Sequence, residues 1–259
     1  MKKHNFSAGP CILPQEVMQK AAQAVVELDN SGLSLIEISH RSPAFVEIME
    51  KATSLAIEQL GLEGKGYKAM FLQGGASQQF LNVANNFLET KAGYANTGTW
   101  STKAIKEAKL LGEVVELSSS NDANFNYIPK GFDIPSDLDY LHITTNNTIF
   151  GTQYKVLPET NVPLISDSSS DIFSRSLDFS KFDLLYAGAQ KNMGPAGATL
   201  VVAKEAALGK VSRQVPSMLD YKIQADKDSM FNTPPVFAVY TSMLTLEWLK
   251  DKGGIAAIE

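Results

Sequence analysis

Phe182-Asp183-Leu184-Leu185-Tyr186-Ala187-Gly188-Ala189-Gln190-Lys191-Asn192-Met193-Gly194-Pro195 reads as a short apolar strand running straight into small residues and a lysine. A strand this uniformly apolar fits a parallel sheet covered by helices on both faces. Just upstream, Val162-Pro163-Leu164-Ile165-Ser166-Asp167 is a second apolar run, and it ends on a carboxylate. Runs of similar character occupy 68–72, 94–96, 113–117, 140–145 and 198–203. Helical spacing appears in Val17, Ala21, Ala24, Val25 and Leu28 behind Pro14, and in Phe45, Ile48, Met49, Ala52 and Leu55. It recurs in Phe80, Val83, Ala84, Phe87 and Leu88, and over 102–111. The expected fold class is therefore α/β, with a mostly parallel central sheet flanked by helices. The polar stretch 118–137 is expected to be an irregular loop.

In such sheets ligands gather beyond the carboxyl ends of the strands, where Asp167 and Lys191 both fall. A lysine wrapped in small residues loses hydration, its pKa drops, and the neutral amine can form a Schiff base with a carbonyl. A carboxylate one strand away can keep a pyridine nitrogen protonated. The two together are what pyridoxal 5'-phosphate chemistry requires. Gly74-Gly75-Ala76-Ser77 joins a strand to a helix, and its small residues let backbone N–H groups close on a phosphate. It is neither a Walker loop nor a G-x-G-x-x-G, which leaves a nucleotide little support. Trp100 is placed at another strand end, where it can pack in the core or stack on a planar ring. Thr148, in Asn146-Asn147-Thr148, can serve a ring-edge oxygen or ordinary turn chemistry. The adjacent His40 and Arg41 suit an anionic substrate group, although a surface pair reads the same way. His142 falls inside a strand and is expected to be a core histidine with its partners met.

With 259 residues, 44% of them hydrophobic, the chain can bury one large core. Lys and Arg total 23 against 28 Asp and Glu, a net charge of −5, which argues against a nucleic-acid or anionic-membrane surface as main partner. The single cysteine, Cys11, excludes an internal disulfide framework and suits a reducing compartment. The N-terminus lacks an apolar core of signal-peptide type, and no apolar run reaches membrane-span length. A cytoplasmic location is expected.

These residues, taken in order, resemble the class-V aminotransferases of fold type I, and within them the branch that forms phosphoserine. The similarity runs from Asn5 to the last residue. It includes Asn5-Phe6-Ser7-Ala8-Gly9-Pro10 at the start, Ser39-His40-Arg41-Ser42, Gly74-Gly75-Ala76-Ser77, Trp100, Thr148, Asp167, Gln190-Lys191 and Asn232-Thr233-Pro234-Pro235. The resemblance implies the large domain of that fold, residues 16–259, preceded by an arm at 1–15, with the family's smaller C-terminal domain missing from this chain. It implies pyridoxal 5'-phosphate on Lys191, with Asp167 at the ring nitrogen and Ala76, Ser77, Trp100, Thr148 and Gln190 as further contacts. Asn232 and Thr233 would reach the cofactor phosphate of a neighbouring subunit in a homodimer, and His40 and Arg41 would hold substrate. The implied reaction is amino transfer between L-glutamate and 3-phosphohydroxypyruvate, small molecules both. Another oxo acid, or a cofactor-binding module without full turnover, remains an alternative. A cysteine desulfurase is disfavoured because Cys11 lies far from the cofactor motifs.

Overall fold

The computed structural model describes residues 3–259. Helix α1 (Gln15–Val26) follows Pro14, and α2 (Pro43–Gln59) starts on a proline whose missing N–H costs nothing there. The Ser42 side chain accepts from the Phe45 N–H at the same helix start. Next come β1 (Tyr67–Gln73), α3 (Ala76–Phe87), β2 (Lys91–Asn96), α4 (Thr99–Ala108) and β3 (Glu113–Ser119). Strand β4 (Leu141–Thr144) precedes a two-stranded hairpin of β5 (Asn146–Asn147) and β6 (Thr152–Gln153). Then follow β7 (Leu164–Asp167), β8 (Leu184–Gly188), β9 (Ala198–Lys204), α5 (Tyr221–Asp226), α6 (Val236–Asp251) and α7 (Ile255–Ile258).

Seven strands form one sheet in the order β1-β9-β8-β7-β4-β2-β3. Only β9 is reversed, pairing antiparallel with β1 on one side and β8 on the other. Successive residues point to opposite faces. Phe71, Leu164, Leu185 and Val202 join the core beneath α1, α2 and α6. Met70, Ile165, Tyr186 and Val201 join the core beneath α3, α4 and α5. Burial on both faces explains why the strands read as continuous apolar runs. At Gly93 in β2, an added Cβ would sit 2.7 Å from both Leu117 and Leu138, so the strand accepts no side chain there. Register then sets the site: Asp167 pairs with Thr144, so β4 and β7 end in one row, while on β8 it pairs with Tyr186 and that strand runs two residues further to Gly188.

The structure differs from the sequence reading in three places. The helix expected over 102–111 is α4, Thr99–Ala108, so Trp100 lies in its first turn and not at the strand end. The reason is Ser101: its Oγ accepts from the N–H groups of Thr97 and Gly98 at 2.9 and 3.0 Å, closing the turn early. The loop expected over 118–137 yields its first two residues to β3 and forms one 3-10 turn, Asn121–Ala123. Finally, no α-helix separates β4, β7, β8 and β9, so strict strand–helix alternation stops after β3.

Ser101→Ala removes the acceptor for two buried N–H groups, a loss of about 1–2 kcal/mol for a cap of this kind. Urea unfolding should show a lower midpoint with unchanged slope, and Trp100 fluorescence should report a more mobile first turn. An unchanged midpoint would show that the α4 start is held by something else.

Candidate active site

Strand ends and two helix starts enclose a cavity of about 120 Å³ lined by Gly75, Ala76, Ser77, Phe80, Trp100 and Thr144, by Asn146, Thr148, Asp167, Ser169 and Ser170, and by Gln190 and Lys191. Ala76 and Ser77 are the first two residues of α3. The preceding Gly75 supplies no side-chain cap, so the helix opens with free N–H donors and its positive dipole end. Gly74 makes the turn with φ +94°, a conformation glycine adopts freely. Its N–H donates to the Gly197 carbonyl and its own carbonyl accepts from Thr199 Oγ1, both at 3.0 Å. The turn is thus fastened to β9.

Lys191 extends from the loop after β8, and its Nζ donates to Thr148 Oγ1 at 2.5 Å. Residues of the N-terminal arm cover its stem. Cys11 N–H donates to the Gln190 carbonyl at 3.0 Å, and a Cβ on Gly9 would lie 3.0 Å from Lys191 Cγ. Burial pulls the lysine below its ordinary pKa, opposed by the nearby Asp167 carboxylate, the Cys11 thiol and Asp171. Asp167 is 4% exposed, and burial pushes its carboxyl above the usual range. Hydrogen bonds from Ser169 and the Lys191 charge resist that rise. Ser169 N–H donates to Asp167 Oδ1 at 3.0 Å, and Ser169 Oγ accepts from Gly188 N–H at 3.2 Å, tying the turn after β7 to β8. Trp100 is half-buried, with Lys103 Nζ 4.7 Å from its ring centroid, and its indole N–H has no protein partner. Thr144 Oγ1 is likewise buried and unpaired.

Ala76, Ser77, Trp100, Thr148, Asp167, Gln190 and Lys191 therefore meet in one cavity. Asn232 lies in a separate recess beside Gln73, whose side chain donates to the Thr233 carbonyl. His40 is half-buried with Nε2 unpaired, and Arg41 is exposed on the turn before α2. None of these four lines the Lys191 cavity. His142 is buried as expected, but only half-satisfied. Nε2 lies 2.9 Å from Tyr186 Oη, while Nδ1 has no partner. Burial lowers its pKa to about 3, so the ring is neutral at physiological pH. Asn146, Ser169 and Ser170 were not anticipated. The run Ser168-Ser169-Ser170 after a strand-end Asp was the available signal, since small hydroxyls can pin a turn without filling the space over it.

Residues 3–259 match the class-V aminotransferase family, and the chain belongs to it. It is 64% identical over 261 residues to the phosphoserine aminotransferase of Flavobacterium johnsoniae, covering 100% of this chain and 73% of that protein. The phosphoserine aminotransferase of Bacteroides fragilis is 54% identical over 259 residues, again with 73% of its length covered. Among solved structures, phosphoserine aminotransferase from Bacillus circulans subsp. alkalophilus superposes with a TM-score of 0.94 at 41% identity, over 98% of this chain and 72% of that one. The enzyme from Trichomonas vaginalis, solved with its pyridoxal phosphate bound, gives 0.93 at 34% identity over 99% and 73%.

Because burial raises the folded-state pKa of Asp167, its ionisation opposes folding. The associated stability is present below the ordinary carboxylate range and lost as pH rises through the folded pKa. Cofactor-free Asp167→Asn should therefore melt higher than wild type at neutral pH, and the gap should close as pH falls below that range. A lower Tm at neutral pH would contradict the assignment of burial as the dominant influence.

Proposed function

We infer that this chain binds pyridoxal 5'-phosphate in the Lys191 cavity and transfers an amino group between L-glutamate and 3-phosphohydroxypyruvate, yielding O-phospho-L-serine and 2-oxoglutarate in serine biosynthesis. The observation that carries this reading is the meeting of a desolvated lysine, a buried strand-end carboxylate and an uncapped helix N-terminus in one cavity. The donor set suits the cofactor part by part. Lys191 would hold its aldehyde, Thr148 its phenolic oxygen, Asp167 its ring nitrogen, and the first turn of α3 with Ser77 its phosphate. Trp100 offers the flat surface for stacking, and the unpaired Thr144 hydroxyl supplies a further polar group in the wall.

When bound, the cofactor supplies an electron sink for the bonding pair released at the substrate α-carbon. The protein does the rest. Asp167 would hold a proton on the ring nitrogen, and charge pairing with that cation would restore the ionised carboxylate that burial alone disfavours. Lys191 would hold the cofactor's aldehyde and, once its amine is free, would serve as the base that takes the substrate α-proton and as the acid that returns it. Its lowered pKa favours the free amine this requires. Thr148 steadies Nζ until then. Neutral His142 contributes no ionisation of its own near neutral pH.

The working unit under this reading is a homodimer. Asn232 and Thr233 serve the cofactor phosphate of the partner subunit, and His40 and Arg41 bind the substrate anion, which accounts for their placement outside the cavity of their own chain. The described residues contain no helix long and apolar enough to cross a membrane. A cytoplasmic location fits, as does a further role in pyridoxine synthesis, where a related phosphorylated oxo acid would need the same anion contacts.

Borohydride reduction of the cofactor-loaded protein, followed by peptide mapping, should place the label on Lys191 and nowhere else. Label on another lysine ends this reading. Mixing a Lys191→Ala chain with an Asn232→Ala chain should regenerate one intact site per heterodimer and recover measurable turnover. Heterodimers that form without any recovery would show that Asn232 acts within its own subunit.

A further inference from the structure

Asp171 is a second buried carboxylate beside the site that the mechanism does not use. It is 3% exposed and lies outside the cavity lining. Thr145 Oγ1 donates to its Oδ1 at 2.6 Å, and Arg175 donates to its Oδ2 from Nε and Nη2 at 3.0 and 2.7 Å. Arg175 also donates from Nη1 to the Tyr154 carbonyl at 2.8 Å, and Tyr154 N–H donates to the Thr145 carbonyl at 2.9 Å. Thr145 closes the circuit: its own N–H donates to the Asp167 carbonyl at 3.0 Å. The whole assembly connects the turn after β7 to the end of β4. A buried ion pair adds little stability over apolar packing of the same shape, so its value here lies in geometry and field.

Resting on the assignment of Lys191 and Asp167 above, we propose that Arg175, acting through Asp171 and Thr145, is a positioning residue that holds the Asp167 turn against β4 and cancels the Asp171 charge beside Lys191. The groups facing this assembly come from several elements. Asp167 ends β7, Tyr186 faces it from β8, Lys191 follows β8, and the Cys11 thiol comes from the arm. Glu259, just past α7, approaches Arg175, its side chain accepting from Ser176 N–H at 2.9 Å. Asp171 tends to raise the pKa of both Lys191 and Asp167. Arg175 is its direct counter-ion, with the two side chains 11% and 3% exposed.

The test needs no cofactor. Competitive labelling of the free protein with acetic anhydride, read by peptide mass from neutral to alkaline pH, gives the titration midpoint of Lys191. Asp171→Asn should lower that midpoint, because a neighbouring negative charge is gone. Arg175→Met should raise it, because Asp171 is left uncompensated. The two variants should differ by about one pH unit, a roughly tenfold difference in free amine at a fixed pH. Arg175→Lys keeps the charge and should titrate like wild type while its thermal stability falls through the loss of the paired donors to Oδ2 and of the bond to the Tyr154 carbonyl. Midpoints that stay together, or that move in the same direction in Asp171→Asn and Arg175→Met, overturn the proposal. Should Arg175→Met fail to fold, the other two decide: a lowered midpoint in Asp171→Asn with none in Arg175→Lys supports it, and equal behaviour overturns it. Borohydride labelling separately decides whether Lys191 carries the cofactor, so either idea can fail without the other.

Discussion

Burying the Asp167 carboxylate at the end of β7 is the constraint around which the rest of the site is arranged. A charge there is disfavoured by desolvation, and the Ser169 N–H donates to its side chain at 3.0 Å. A neighbouring positive charge offsets that cost, and in the free protein the Lys191 charge works against the rise of the Asp167 pKa. A protonated ring nitrogen would be the better partner in the loaded one. The same burial acts in opposite senses on the two groups, pushing Asp167 up and Lys191 down. Poising a carboxylate and an amine against each other in this way is a common route to acid–base chemistry at neutral pH.

Sheet register converts that constraint into geometry. Asp167 and Thr144 share a row, so the turns that follow β4 and β7 leave from one level, and β8 runs two residues beyond it before the turn that carries Lys191. The reversed strand β9 lets Gly197 and Thr199 clamp the turn at Gly74, which aims the start of α3 at the same space. The sheet face below the cavity carries Tyr94, Tyr140, His142 and Tyr186, linked by hydrogen bonds of 2.7 Å between the Tyr94 and Tyr140 hydroxyls and 2.9 Å between His142 and Tyr186. Buried polar contacts of this sort favour one packing arrangement over its near alternatives.

What the sequence revealed follows from the same physics. Strands buried on both faces leave unbroken apolar runs, so β7 and β8 and the charged residues ending or following them were legible. Gly74 was legible because its positive φ is one that few other residues adopt. The start of α4 was not, because Ser101 reaches back to Thr97 and Gly98 and leaves no conventional cap ahead of the helix. Ser169, Ser170 and Asn146 were missed because polar residues in turns look alike until the chain is folded. The Thr145–Asp171–Arg175 assembly was hidden for a related reason. Its i,i+4 Asp–Arg spacing is that of an ordinary helix surface, yet the segment is turn and the pair is buried. His40, Arg41, Asn232 and Thr233 stood out in sequence but do not join the cavity of a single chain.

Under the proposed function, the Asp167 charge would stabilise the electron pair released when the substrate α-proton leaves. Single-turnover reaction of the loaded protein with glutamate, followed by absorbance in wild type and Asp167→Asn, tests it most directly. The amide fills the same volume and can still accept from Ser169, but it cannot hold the ring nitrogen protonated. Loss of about 4 kcal/mol of stabilisation predicts a rate roughly a thousandfold slower, at about 1.4 kcal/mol per tenfold. An Asp167→Asn half-reaction at the wild-type rate would contradict the account.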